Sequence, residues 1–207
     1  RKEEIRKSRR AELGIAYDEV VVLWWSQGLP EVIEEDIEMT QGVIQSLAAP
    51  QKSVFIMMLH PKLEDIRKGY LGDISRRMRQ CCEASGVRFI SPDKIPCEEL
   101  DLAADTIVTA MSTEGFKSNI MGGPPVVHLL GPATRKWMET ELFLEPPHYL
   151  PDVLAGESLL AVSQSDIGRI LTAAMDSQVR RGLRANWRPP TGKAAEKIAK
   201  ELIRLAR

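Results

Sequence analysis

An α/β fold is predicted, a doubly wound parallel sheet of about six strands with helices on both faces. Three features of the sequence predict it. Apolar runs of strand length recur along the chain, turn residues follow each run, and helix-forming stretches separate one run from the next. The runs are continuous rather than alternating, as expected of strands buried on both faces of a parallel sheet.

The elements can be taken in order. Arg1 to Leu13 is a charged helix pattern closed by Gly14 at a plausible C′ position. After Asp18, the run Glu19 to Trp25 is the first strand. Ser26-Gln27-Gly28-Leu29-Pro30 breaks it, and the acid-rich stretch from Glu31 opens a helix ending near Ala49-Pro50. Ser53 to Leu59 is the second strand, and Leu63 to Ser85 reads mostly helical, with Gly86 as its cap. Val87 to Ile90 is a short third strand. A short helix from Asp101 to Ala104 precedes the strand Thr106 to Thr109, and Glu114 to Met121 is helical. Gly122-Gly123-Pro124-Pro125 turns the chain into the strand Val126 to Leu130. Glu145 to Glu157, with Pro146, Pro147, His148 and Pro151, reads as an ordered loop. Leu159 to Val162 is the sixth strand, and Ser165 is expected to cap a helix running to about Met175. Thr191-Gly192-Lys193 opens a last amphipathic helix, with Ala195, Ile198, Ala199, Leu202 and Leu205 on one stripe.

Charge and composition exclude several function classes. Twenty-eight Lys and Arg against 29 Asp and Glu give no reason to expect nucleic acid. From Arg180 to Arg207 basic residues dominate, which suits a solvated helix face or an anion-binding surface. Cys81, Cys82 and Cys97 lack zinc spacing and point to free thiols in a reducing, cytoplasmic setting. No run approaches the roughly 20 apolar residues of a bilayer span. No pattern of histidines, cysteines or carboxylates suggests a metal, and no cofactor is expected: the glycine fingerprint of dinucleotide sites and the Walker loop are missing.

Ligands of doubly wound sheets bind beyond the carboxyl ends of the strands, where strand order reverses. The residues just after strands are therefore the candidates: Ser26 to Gly28, His60-Pro61, Ser91-Pro92, Met111 to Gly115, and Gly131 onward. Gly28 allows close backbone approach. His60 emerges at the binding edge, either to meet a phosphate oxygen or to close the strand end on backbone. Ser112, Thr113, Glu114 and Gly115 bring hydroxyls and free N–H groups to a helix N-terminus, a capping arrangement that is also an anion site. His128 lies inside an apolar strand and is expected in the core or at an interface. Lys193 with Arg180, Arg181, Arg184 and Arg188 could reach a phosphate or simply face solvent. Trp24 and Trp25 are expected to pack the sheet, Trp137 and Trp187 to pack helices.

The order of segments resembles the C-terminal, donor nucleotide-sugar-binding domain of GT-B fold glycosyltransferases. The leader from Arg1 to Ile15 looks like the entry from an interdomain linker. Leu100 to Thr109 looks like the approach to the donor site, and Ser112-Thr113-Glu114-Gly115 with Gly123 to Val127 like the segment that holds donor sugar and diphosphate. Thr191 to Ile198 looks like the closing helix. His60-Pro61 with Ser112-Thr113 is similar to the HP and S/T motifs of the capsule, polysialic-acid and CDP-glycerol transferase group. The resemblance implies a linker-like helix over 1–15 and one Rossmann-like domain over 16–207. The chain opens on Arg1 rather than methionine, which leaves room for an N-terminal partner domain. The leader should then pack little against the domain, or beside Lys193 to Arg207.

The resemblance further implies a substrate of the UDP- or CMP/CDP-linked nucleotide-sugar kind, a surface-carbohydrate acceptor and peripheral membrane association of the full protein. Donor contacts would come from His60, Ser112, Thr113, Glu114, Gly115, Ser26, Gln27 and Gly28. UDP-N-acetylglucosamine 2-epimerases share the architecture, but Thr113, Glu114, Lys117 and Ser118 replace most of their serine-glycine-glycine and paired-glutamate segment. A non-catalytic GT-B-like module and a small flavodoxin-like or sugar-phosphate isomerase domain are the other open readings.

Overall fold

The computed structural model describes residues 1–48, 52–60, 68–92, 97–142 and 150–186. All six expected strands form: β1 (Val20–Trp25), β2 (Ser53–Met58), β3 (Arg88–Ile90), β4 (Thr106–Thr109), β5 (Val126–Leu129) and β6 (Leu159–Ala161). They pair in parallel in the order β3-β2-β1-β4-β5-β6. Val22, on the central strand, lies opposite Phe55 of β2 and Thr106 of β4. The doubly wound architecture is as expected, and strand limits agree within a residue.

Nine helices are described: α1 (Lys2–Glu12), α2 (Ile33–Ser46), α3 (Lys68–Ser85), α4 (Cys97–Ala103), α5 (Thr113–Ile120), α6 (Pro132–Glu141), α7 (Pro151–Leu154), α8 (Gln164–Met175) and α9 (Ser177–Asn186). Side chains of β1 alternate between two cores. Val22 and Trp24 join Ile37, Val43 and Ile44 of α2, Met78 of α3 and Ile167 of α8. Val21, Leu23 and Trp25 join Ile15, Leu100 and Ala104 on the other face. Burial on both faces is why the run is apolar throughout.

Several helix expectations are corrected. Ser163, not Ser165, is the N-cap residue of α8, because it is the last residue in extended backbone. Its Oγ instead contacts Ser165 Oγ and the Asp166 carboxylate. The stretch read as a loop contains the single turn α7, with Pro151 at its first position. Helices α6 and α9 went unanticipated: α6 buries only Thr134 and Met138, and α9 buries nothing, so neither carries a broad apolar stripe. The helix expected from Thr191, together with Trp187, Arg188, His148 and Pro61, lies outside the described residues.

The leader helix does not lie loosely on the domain. Arg10 is buried, and its Nη2 pairs with Asp105 Oδ2 at 2.7 Å. Arg6 Nη2 pairs with Asp105 Oδ1 at 2.7 Å, and the Val21 N–H donates to Oδ2 at 2.8 Å. The carboxylate thus ties α1 to the amino ends of β1 and β4. Arg6 also donates to the carbonyls of Leu102 and Ala104, and Arg10 Nε donates to Ala103. These cations satisfy carbonyls left open at the C-terminus of α4. Packing beside Lys193 to Arg207 falls outside the described residues.

Adjacent tryptophans on a doubly buried strand must each find an acceptor for a buried N–H. Trp24 donates to Asp36 Oδ1 at 3.3 Å on one face, and Trp25 to Asp101 Oδ1 at 2.8 Å on the other. Burial pushes each carboxyl up to about 7.

A folded-state pKa above the unfolded one means the native protein holds extra protons between about pH 4 and about pH 7, so stability falls as pH rises through that window. Asp36→Asn should flatten the fall by about 2 to 4 kcal/mol, measured by urea unfolding across the range. An unchanged slope would show that Asp36 does not titrate this way. Asp105→Ala leaves Arg10 buried without its carboxylate and should cost about 3 kcal/mol. Limited proteolysis should then cut within α1 before it cuts the sheet.

Candidate functional site

β1 and β4 are neighbours, yet their chains depart to opposite faces, β1 into α2 and β4 into α5. A crevice opens where they diverge. It is a cleft of about 170 Å³ lined by Gln27, Gly28 and Leu29 after β1, His60 after β2, and Met111, Ser112 and Thr113 after β4. Five of the eight sequence-derived donor contacts therefore meet in one place.

Each wall has a local cause. Ser26 is buried and accepts the His60 N–H at 2.8 Å, which holds the end of β2 beside the end of β1. The His60 ring lies against Gly28: a Cβ on Gly28 would fall 2.5 Å from His60 Nδ1. Gln27 is 3% exposed, and neither atom of its amide has a hydrogen-bond partner among the described residues. Its backbone N–H points to Asp36 Oδ2 at a long 3.5 Å.

Ser112 caps α5, accepting the Glu114 N–H at 3.3 Å. The Ser112 N–H donates to Thr109 Oγ1, and that hydroxyl donates to the Trp25 carbonyl at 2.8 Å. The α5 N-terminus is thereby fixed to the ends of β4 and β1, with Thr113 opening the helix at the cleft wall.

Three expected contacts stand behind the cleft rather than in it. Ser26 positions His60. Gly115 lets α5 approach the sheet, since a Cβ there would lie 2.9 Å from Thr109 Cγ2. Glu114 pairs with Lys117 at 3.5 Å. Leu29 and Met111 complete the lining, and only their position after strands hinted at it.

The edge beyond β5 was also a candidate, from Gly131 onward. The protein fills it with its own carboxylate. Glu35 of α2 accepts the N–H groups of Ala133 and Thr134 and the Thr134 hydroxyl, at 2.8, 2.7 and 2.7 Å. A Cβ on Gly131 would fall 2.3 Å from Glu35 Cδ, so glycine is what admits the carboxylate. The N-terminus of α6 is thus neutralised from within, whereas that of α5 faces the cleft.

His128 is fully buried, as expected for a core position, and stands in a polar relay that the sequence did not reveal. Nδ1 lies 2.9 Å from the Ala110 carbonyl and Nε2 lies 2.8 Å from Asp152 Oδ2. The Ala110 carbonyl can only accept, so Nδ1 donates to it, and Nε2 is left facing the carboxylate. Asn119 and Ser158 donate to the same Asp152 oxygen. Burial pushes the Asp152 carboxyl up, but bonds from His128 and Ser158 outweigh it, and the net shift is downward. The relay pins the Ala110 carbonyl, just before Met111 of the cleft.

No family model and no curated protein matches the chain. Solved structures do match. Anabaena HepE in complex with UDP and glucose aligns over 96% of this chain and 52% of its own, at 16% identity and a TM-score of 0.59. The wall teichoic acid polymerase TagF with CDPG aligns over 98% and 46%, at 14% identity and 0.54. This is a GT-B half-domain fold. A trehalose-6-phosphate structure from E. coli bound with UDP-2-fluoro glucose aligns over 90% and 44%, at 10% identity and 0.51. The chain spans about half the length of these solved chains, and at such identities the likeness is one of fold.

The contact between Gly28 and His60 makes a direct prediction. In Gly28→Ala the imidazole, the distal part of a rotatable side chain, should swing away at a stability cost of about 1 kcal/mol. Its ring resonances should shift in NMR spectra while the thermal midpoint barely moves. Unmoved His60 resonances would mean that the ring does not rest on Gly28.

Proposed function

We propose that this chain is the donor-binding half of a glycosyltransferase, which transfers a sugar or polyol phosphate from an activated nucleotide to a surface-carbohydrate acceptor. The observation that carries this reading is the meeting of His60, Ser112 and Thr113 in one cleft at the α5 N-terminus. A helix N-terminus that opens on a cleft with hydroxyls beside it favours an anion. A phosphate seated there would accept from the Thr113 N–H and the two hydroxyls, and protonated His60 would add a charge-assisted bond. The same groups would stabilise the charge that develops on a departing nucleotide phosphate. Gln27, whose buried amide has no hydrogen-bond partner among the described residues, would meet the sugar or the phosphate.

The size of the cleft supports a two-domain enzyme. Ligand pockets generally enclose about 300 to 1,000 Å³, whereas this cleft offers about 170 Å³. It suits a diphosphate group, and the rest of a nucleotide sugar would need a second wall. An N-terminal partner domain preceding α1 would provide that wall together with the acceptor site and the general base. The chain on its own would then bind donor weakly and transfer nothing. The corresponding setting is cytoplasmic carbohydrate biosynthesis, with the full protein peripheral to a membrane.

The test is an NMR titration of the chain with UDP, CDP and CMP. Expected are shifts at Gln27, Gly28, Ser112 and Thr113 with a Kd between about 0.1 and 1 mM, or about 4 to 5.5 kcal/mol. His60→Ala should weaken binding by about threefold to tenfold. Absence of shifts at these four residues with every nucleotide would overturn the donor reading in favour of a non-catalytic GT-B-like module.

A further inference from the structure

A groove between α1 and α9 lies at the other end of the sheet. It holds about 400 Å³ and runs over the Gly122–Pro125 turn, at the amino ends of β4 and β5. α1 contributes Lys2 and Arg6 to its walls, and α9 contributes Arg180 and Arg184. The acids of the walls are Glu3, Asp105 and Glu157. Asp105 is already divided between Arg6 and Arg10, one oxygen to each. Glu3 and Glu157 make no ion pair among the described residues.

Lys2, Arg180 and Arg184 likewise form no ion pair among the described residues, although Glu3 and Glu157 share the walls with them. Lys2 Nζ donates to the carbonyls of Met121 and Gly122, at 2.6 and 3.1 Å. Arg180 Nε donates to the Ala174 carbonyl at 2.8 Å, and Nη2 to the Asp105 carbonyl at 3.3 Å. These bonds hold both side chains in place without cancelling their charge, and Arg180 Nη1 makes no hydrogen bond among the described residues. Arg184 is exposed and makes no hydrogen bond or ion pair among the described residues. The guanidinium of Arg180 feels this crowding: burial lowers its pKa, Asp105 raises it, and Arg6 and Arg184 lower it again.

We propose that this groove is a second anion site, independent of the donor cleft, that takes an organic phosphate between α1 and α9. Arg180 and Arg184 bind the phosphate from one wall and Lys2 faces it from the other. An inorganic ion would leave the apolar part of the groove, Leu183 with Pro124 and Pro125, uncovered. A phosphate with a glycerol or larger body covers it. Such a group comes from a soluble phosphomonoester or from the headgroup of an anionic lipid. Occupation would tie the leader helix to α9 and relieve the repulsion among the arginines.

Two arms distinguish the sources. In the first, glycerol 1-phosphate is titrated into the full chain at ionic strength held constant with sodium chloride, followed by NMR. In the second, the chain is sedimented with phosphatidylcholine vesicles, with and without phosphatidic acid. Shifts at Gly122 and Gly123 identify the soluble ligand, and sedimentation that requires phosphatidic acid identifies the lipid. In either case Arg184→Glu should weaken binding about tenfold. That variant touches no internal bond, and its thermal midpoint and its response to UDP at Ser112 should match the wild type. The site is overturned by an absence of response in both arms, by an equal response in Arg184→Glu, or by phosphate shifts confined to Ser112 and Thr113.

Discussion

The parallel pairing of β1 with both β2 and β4 is the constraint from which the rest of the structure follows. Parallel neighbours need a crossover between them, so each strand brings a helix and both faces of β1 are covered. A strand covered on both faces has no polar side to spend on tryptophan N–H groups. Trp24 and Trp25 must therefore reach carboxylates supplied by helices, Asp36 from α2 and Asp101 from α4. Those carboxyls are stabilised more as neutral acids than as ions, because the cores that hold the indoles also exclude water. The same pairing sets β1 and β4 side by side while their helices part, and the cleft is the space this leaves.

Parallel strands also give the two ends of the sheet opposite chemistry. At the carboxyl end the helices present their N-termini, which attract anions. Glu35 occupies the one after β5, and the one after β4 faces the cleft. At the amino end the helices present open carbonyls, and cations gather there. Arg6 and Arg10 serve the end of α4, Arg180 serves α8, and Lys2 serves the turn after α5. One carboxylate, Asp105, anchors this cationic set to β1. The basic character of the leader and of α9 is thereby a consequence of which end of the sheet they cover. Arg184 exceeds that need.

Much of the fold was legible because its signals are local. A run such as Ser53 to Met58 is strand-like by length and β-branched or bulky content, whatever surrounds it. Gly14 and Gly86 adopt left-handed backbone at helix ends, where glycine alone lacks a steric penalty. Helices α6 and α9 escaped notice because their stability comes from partners distant in sequence. Glu35 reaches α6 across 98 residues, and the α9 residue Arg180 reaches Asp105 across 75. Periodicity carries no trace of such contacts.

The sequence by itself determined the strand order along the chain, the apolar faces and the residue types just beyond each strand, because propensity and hydrophobic period act over a few neighbouring residues. It therefore placed His60, Ser112 and Thr113 at strand ends. Only the tertiary structure decided that these ends converge, that Ser26, Glu114 and Gly115 stand behind the cleft, and that Glu35 rather than a ligand fills the N-terminus of α6. The difference is one of range. Which strands become neighbours depends on burying both faces of the whole sheet at once, and that is settled by packing between segments tens of residues apart.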